Sequence, residues 1–234
     1  MDDFYSPVAE YYDLVARTHS EGDTVLRERL AATTLNGEPI LDLGAGTWRT
    51  VAAIADSVPQ CDILAVEPAP AMRAVLMHRV INDPQLRQRV TVVAEPVDQL
   101  HLPEKLGAVV AYGVLGHLCR EKRQQLWQLL LPRLSAGAPI FVELLPLEKP
   151  IVLPAFPLAC ETVGKRHYTA SLQGEPGPDD TMLLTSCWTV RGVPCPAQVI
   201  RNQSVWHTFS LAELAQEAGL RAERLTAQVG VLYA

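Results

Sequence analysis

LDLGAGTWRT, residues 41–50, ends an apolar run in an acid and two glycines. Glycine after a first β-strand lets the backbone approach a ligand, and the helix that follows offers unpaired N–H groups. A dinucleotide fingerprint needs G-x-G-x-x-G, but Arg49 stands where the third glycine belongs, and no Gly-Lys-Ser/Thr follows to make a phosphate loop. Trp48, the bulkiest side chain available, also falls inside this turn. Either it walls a pocket, or its ring packs outward on the N-terminal helices, or it blocks the site outright.

Outward from this turn, β-branched apolar runs alternate with helical patterns, the signature of βα units feeding a parallel sheet buried on both faces. Strands are predicted at Ile40–Gly44, Asp62–Glu67, Val90–Glu95, Ala108–Tyr112 and Pro139–Leu144. Helices are predicted at Arg49–Ser57, Pro70–Val80 and Glu121–Leu134, and before the first strand at Val8–Arg17 and Glu21–Thr33 with a break near residues 18–20. The fold class is therefore α/β, a Rossmann-like doubly wound sheet. Beyond the fifth strand Pro and Gly thicken, and His167–Leu172, Met182–Val190 and Gln198–Trp206 read as strands joined by turns, which pair antiparallel. Ser210, with Glu213 at the capping-box position, starts a helix that ends at Gly219, followed by a strand or hairpin to Tyr233.

A chain of 234 residues that is 48% apolar and 20% charged has room for one substantial core. Its net charge of −6 lacks the clustered cations that neutralise phosphates, so nucleic acid is not expected as a partner. The five cysteines never fall in C-x-x-C spacing, so neither a disulfide framework nor a metal site is expected. The opening MDDFYSPVAEYYD is acidic and aromatic, unlike a secretory signal, and no apolar run approaches a membrane span. A cytoplasmic protein without a membrane partner is the expectation.

Three features stand in order at strand ends: Asp42-x-Gly44-x-Gly46, then Glu67 in AVEPAPAM, then Glu95 in VTVVAEP. Together they resemble the class I S-adenosylmethionine-dependent methyltransferases, closest in pattern to sugar N-methyltransferases and related natural-product enzymes. The resemblance spans roughly residues 5–146 and extends to the ending SLAELAQEAGL. It implies S-adenosyl-L-methionine as cofactor and S-adenosyl-L-homocysteine as product. Asp42, Gly44, Ala45 and Gly46 would approach the methionine part, and Glu67 would take the ribose hydroxyls, a charge-assisted pairing. Pro68 and Met72 would face the adenine, Glu95 would reach its amino group, and Tyr112 would close the cofactor site. The family commonly carries a third glycine where this chain has Trp48. On this reading the chain is one domain: a helical lid (1–36), a cofactor-binding core (37–146), an antiparallel cap (147–208), and a final helix with strands (209–234).

Methyl transfer from a sulfonium is an in-line displacement, so positioning and water exclusion matter most, and a base matters when the acceptor must lose a proton. The acceptor should lie beyond the carboxyl ends of strands four and five. There AYGVLGHL offers His117, whose ordinary pKa suits orienting a nucleophile. Tyr12, with His19 and Glu21, is a second acid–base candidate. Tyr5, Trp48, Glu143 and Trp206 are expected to contact the acceptor, and Trp188, Trp206 and His207 beside Phe209 would form an aromatic cover or a dimer face. The expected activity is methylation of a small molecule at nitrogen or an electron-rich ring carbon, without a metal. The alternatives are a cofactor-binding scaffold or cyclase that does not methylate, and a peptide N-terminal methyltransferase.

Overall fold

The computed structural model describes residues 4–96, 99–193 and 195–233. Seven strands form one sheet in the order β10-β11-β5-β4-β1-β2-β3. Strands β1 (Ile40–Leu43), β2 (Ile63–Val66), β3 (Val90–Val93), β4 (Ala108–Tyr112) and β5 (Ile140–Glu143) run parallel. The last two, β10 (Arg221–Arg224) and β11 (Val229–Tyr233), close it, with β11 antiparallel to β5.

Every residue of β1, β4 and β5 is buried, so their sequences are continuous apolar runs and do not alternate. Successive side chains still point to opposite faces. Ile40, Val110 and Phe141 join Leu26, Ile54 and Leu76, the residues of α2 (Ser20–Ala31), α3 (Arg49–Ser57) and α4 (Pro70–Asn82). Leu41, Val109 and Ile140 instead meet Leu126 and Leu214, on α6 (Arg120–Leu130) and α7 (Leu211–Ala218). The short helix α5 (Leu86–Arg89) leads into β3.

The helix expected at 121–134 stops at Leu130, because Pro132 lacks an N–H, and the chain continues as a 3-10 turn over Leu131–Arg133. The first expected helix is broken as well, into a 3-10 turn at Ser6–Val8 and α1 (Tyr12–Ala16). Helix α7 starts as expected: Ser210 Oγ accepts from the Glu213 N–H at 3.1 Å, the Ser210 N–H donates to Glu213 Oε2 at 2.7 Å, and Gly219 ends the helix at φ +68°.

Between β5 and α7 the chain builds a second, four-stranded antiparallel sheet: β6 (Leu153–Val163), β7 (Arg166–Pro176), β8 (Thr181–Gly192) and β9 (Gln198–His207). Three of these strands were expected; β6 was not, because Pro154 and Pro157 argue against a strand. It is an edge strand with two register shifts, and both edges and bulges tolerate proline. Ala170, Trp188 and Val190 on the inner face pack on Val8 and Tyr11, so this sheet rests on the N-terminal segment. No helix among the described residues is long and apolar enough to cross a membrane.

Candidate active site

The turn after β1 carries left-handed backbone at Gly44 (φ +69°) and Gly46 (φ +59°). The N–H groups of Gly44 and Ala45 donate to the Val66 carbonyl at 2.9 and 3.0 Å, so the turn leans on the end of β2. Glu67, 6% exposed, accepts from the Gly46 N–H at 2.8 Å with one oxygen and from the Ala69 N–H at 2.7 Å with the other. Asp42 is fully buried beneath: Oδ2 accepts from the Thr50 hydroxyl at 2.6 Å, and Oδ1 has no hydrogen-bond partner among the described residues. Burial pushes its carboxyl up to about 7, against the Thr50 hydrogen bond and the charge of Arg49.

Trp48 is the N-cap of α3 and sits at φ 155°, ψ −27°, a backbone conformation that favours glycine. Its indole is half-buried against the core that holds α2 and α3 and does not line the cavity described below. The expectation that Trp48 contacts the acceptor is therefore corrected: its Cβ leaves the turn toward the helices.

A cavity of about 340 Å³ opens beyond the carboxyl ends of β4 and β5, between the N-terminal segment and the second sheet. Arg49, Glu143, Tyr112 and His19 line one end of it. Arg49 grips Glu143 with both ends of its fork, Nη2 to Oε2 at 2.5 Å and Nη1 to Oε1 at 3.2 Å, and also reaches Asp23 at 3.2 Å. His19 Nδ1 lies 3.5 Å from Glu143 Oε1. Burial alone would raise the Glu143 carboxyl, but the hydrogen bonds from His19 and Arg49 and the Arg49 charge hold it below its usual value. Helix α2 comes this close because residue 22 is glycine: a Cβ there would stand 2.8 Å from Glu143 Oε1. The Tyr112 hydroxyl donates to the Gly22 carbonyl at 3.4 Å, and the Arg49 guanidinium lies 5.5 Å from the Tyr112 ring centre.

His117 stands in the 3-10 turn Leu115–His117 that follows β4. Its Nε2 is 2.8 Å from the Tyr5 hydroxyl, and the Trp206 indole meets it edge-on at 4.9 Å. Burial pushes its pKa down to about 4, with His207 adding to the shift, so the imidazole is neutral at neutral pH. Gly116 makes room for this stack, since a Cβ would fall 2.0 Å from the Trp206 ring. Tyr5 packs edge-on against Tyr12 at 5.7 Å, and burial raises both phenols above their usual range. Around them lie Met72 and Ala69 at the start of α4. The segment is held from both sides: Asp13 of α1 accepts from Thr47 and Arg79, and the Phe4 carbonyl accepts from Asn202 of β9.

Tyr5, Tyr12, His19, Tyr112, His117, Glu143 and Trp206 thus converge on one cavity. Several expectations are corrected. His19 pairs with Glu143 and not with Tyr12, and Glu143 is already paired with Arg49, so it is not an open anion waiting for a cationic acceptor. Glu95 accepts from the backbone and ring nitrogens of His101, at 2.9 and 3.2 Å, and does not line the cavity. Phe209 lies in the main core under the Arg123 guanidinium, 4.2 Å from it, and neither it nor His207 belongs to the aromatic cover. Pro68 is exposed, its carbonyl accepting from Arg73 at 2.9 Å. Arg49 was read only as a missing glycine; its role as the cation of this cavity carried no local signal, because its partner is 94 residues away.

Residues 41–140 match the family described as a methyltransferase domain. No curated protein matches the chain. Among solved structures, the S-adenosylmethionine-bound amino pentose methyltransferase CalS10 of Micromonospora echinaspora, from calicheamicin biosynthesis, is 18% identical, with a TM-score of 0.70 over 92% of this chain and 90% of that one. DesVI of Streptomyces venezuelae aligns at 16% identity and a TM-score of 0.73, over 98% and 96% of the two chains. The sugar N-methyltransferase KedS8 of a Streptoalloteichus species gives 15% and 0.72, over 95% and 92%. The glycine turn and its two buried acids lie inside the segment that matches a methyltransferase domain, and the whole chain shares the fold of these methyltransferases.

Proposed function

We propose that the protein methylates a small specialised metabolite at a nitrogen or an electron-rich ring carbon, inside the cavity faced by His117. The residues present fit the cofactor. Asp42 keeps a buried oxygen without a partner beside the glycine turn, Glu67 is held rigidly against that turn by two backbone donors, and Gly113, at φ +65°, borders the cavity with nothing within 4 Å of where a side chain would start. Asp42, Gly44, Ala45 and Gly46 would hold the methionine part, Glu67 the ribose, Met72 the adenine, and Tyr112 would form the boundary with the acceptor. Glu95 would join them only by giving up His101.

The cofactor supplies an activated methyl group on a sulfonium. The chain's own residues orient and dehydrate. A neutral imidazole accepts a hydrogen bond from an N–H without competing for its proton, and a pKa of about 4 makes His117 a weak base. That combination suits an electron-rich ring, or an amine that has shed its proton to solvent before it enters, whose π-system or lone pair attacks directly, better than a hydroxyl that must be deprotonated in place. Tyr5 and Tyr12 keep their protons and act as donors, with Tyr5 fixing the His117 ring. Residues 4–16 and the inner face of the second sheet flank the cavity and shield an acceptor from water on two sides.

The observation that carries the reading is the cavity with a neutral, Tyr5-bonded histidine at the carboxyl edge of the sheet. Calorimetric titration with S-adenosylhomocysteine tests its cofactor half. Asp42→Ala and Glu67→Ala should each lose about 1.5–3 kcal/mol of affinity, the cost of hydrogen bonds to a charged group. Wild-type affinity in both variants would remove these residues from the site. Transfer of labelled methyl to amine acceptors tests the other half.

A further inference from the structure

Alternate residues of the second sheet point into the cavity. From β8 these are Leu184, Ser186 and Trp188; Leu158 of β6, Leu172 of β7 and Trp206 of β9 come from its neighbours. Leu145 and Pro146, just beyond β5, extend this wall. Polar groups on it are sparse. Ser186 accepts from the Trp188 indole N–H at 3.3 Å and keeps its O–H to donate; beside it stand Ser204 and, from the loop before β11, Gln228. The basic side chains Arg49 and His19 at one end of the cavity both face Glu143.

We propose that this chamber takes an acceptor with an apolar ring or chain and no phosphate or carboxylate, so that its specificity departs from a polyhydroxylated sugar. The inference rests on the methyl-transfer reading above and narrows its acceptor. An anionic group entering here would lose its hydration with no unpaired cation to replace it. A sugar would bring several hydroxyls, each needing a partner once dehydrated, to a wall that offers few. An aromatic amine, or an aliphatic one that has shed its proton to solvent, loses little by comparison: its body meets leucine and indole, and its nitrogen reaches the His117 end. A cavity of about 340 Å³ lies at the small end of small-molecule sites, about 300–1,000 Å³, which suits a single ring system.

The test titrates phenethylamine, phenylalanine and glucosamine into the full-length protein saturated with S-adenosylhomocysteine, reading heat and tryptophan fluorescence, since Trp188 and Trp206 both line the chamber. Phenethylamine should bind at least about tenfold more tightly than phenylalanine, which differs from it by one carboxylate, and than glucosamine. Leu172→Arg puts a cation on the half-buried part of the wall and should reverse the order of the first two, with S-adenosylhomocysteine affinity unchanged. Equal or tighter binding of phenylalanine or glucosamine to wild type overturns the proposal, as does an unreversed order in the variant. Normal S-adenosylhomocysteine binding with no binding of any of the three also overturns it, while leaving the methyltransferase reading standing. Failure to bind S-adenosylhomocysteine strikes that reading itself.

Discussion

At Trp48 the backbone holds φ 155° and ψ −27° while a large side chain is attached to it. Holding a non-glycine residue in such a region costs on the order of 1–3 kcal/mol, and the strain persists because β1 and α3 are both fixed by the core. Offsetting it, the indole packs half-buried against the α2–α3 core. Two substitutions separate these effects. Trp48→Ala loses the ring and keeps the strained Cβ; Trp48→Gly loses the ring and relieves the strain. The glycine variant should therefore be the more stable of the two by about 1–2 kcal/mol in chemical denaturation, against the ordinary preference for alanine over glycine. The opposite order would mean that the turn is not strained. Affinity for S-adenosylhomocysteine should be similar in both, because the ring lies outside the cavity.

Between elements, the tie that matters most for the His117 turn is the pair linking α6 to α7. Arg123 donates to both oxygens of Glu217, at 3.1 and 3.0 Å, and to the Leu118 carbonyl at 2.8 Å, one residue past His117. The Trp127 indole N–H adds a bond to Glu217 at 2.9 Å. Both charged side chains are 6% exposed. Removing one partner strands the other charge in the core, so Arg123→Ala should cost about 3–5 kcal/mol of stability. A loss under about 1 kcal/mol, the range of exposed pairs, would show that water reaches Glu217. None of this was legible in the sequence, where Arg123 and Glu217 are two charges on different helical patterns. The strands β1 to β5 were legible because burial on both faces writes itself as an apolar run, and the α7 boundaries because caps use local residues. Strand β6 was hidden because whether Pro154 and Pro157 are tolerable depends on which strand lies at the edge, a property of the sheet and not of the segment. The glycine turn and the convergence of Tyr5, His117 and Trp206 could be anticipated from strand ends; the Arg49–Glu143 pair that fixes the cavity's charge could not.

Taken over the whole molecule, two buried groups give opposite responses to acid. Asp42 has its pKa raised from 3.8 to about 7 by burial, so the native state holds a proton that the unfolded chain lacks between those values. Its contribution favours the folded state at low pH and is lost as pH rises through about 7. His117 has its pKa lowered from 6.5 to about 4, also by burial. Here the unfolded chain binds the proton first, so the contribution is present above 6.5 and is lost as pH falls toward about 4. Each shift is worth on the order of 3 kcal/mol, and over most of the shared window they offset each other. Other titrating groups are common to wild type and variants and largely cancel in the differences. Compared with wild type, Asp42→Asn should therefore lose stability progressively on acidification from about pH 7 to about pH 4.5, and His117→Gln should gain it over nearly the same range. Unfolding free energies measured at a series of pH values check both slopes. Parallel curves for all three proteins would mean that neither group is buried in its ionisation-resistant form, and His117 would then be available as a base near neutral pH, moving the favoured acceptor back toward a hydroxyl.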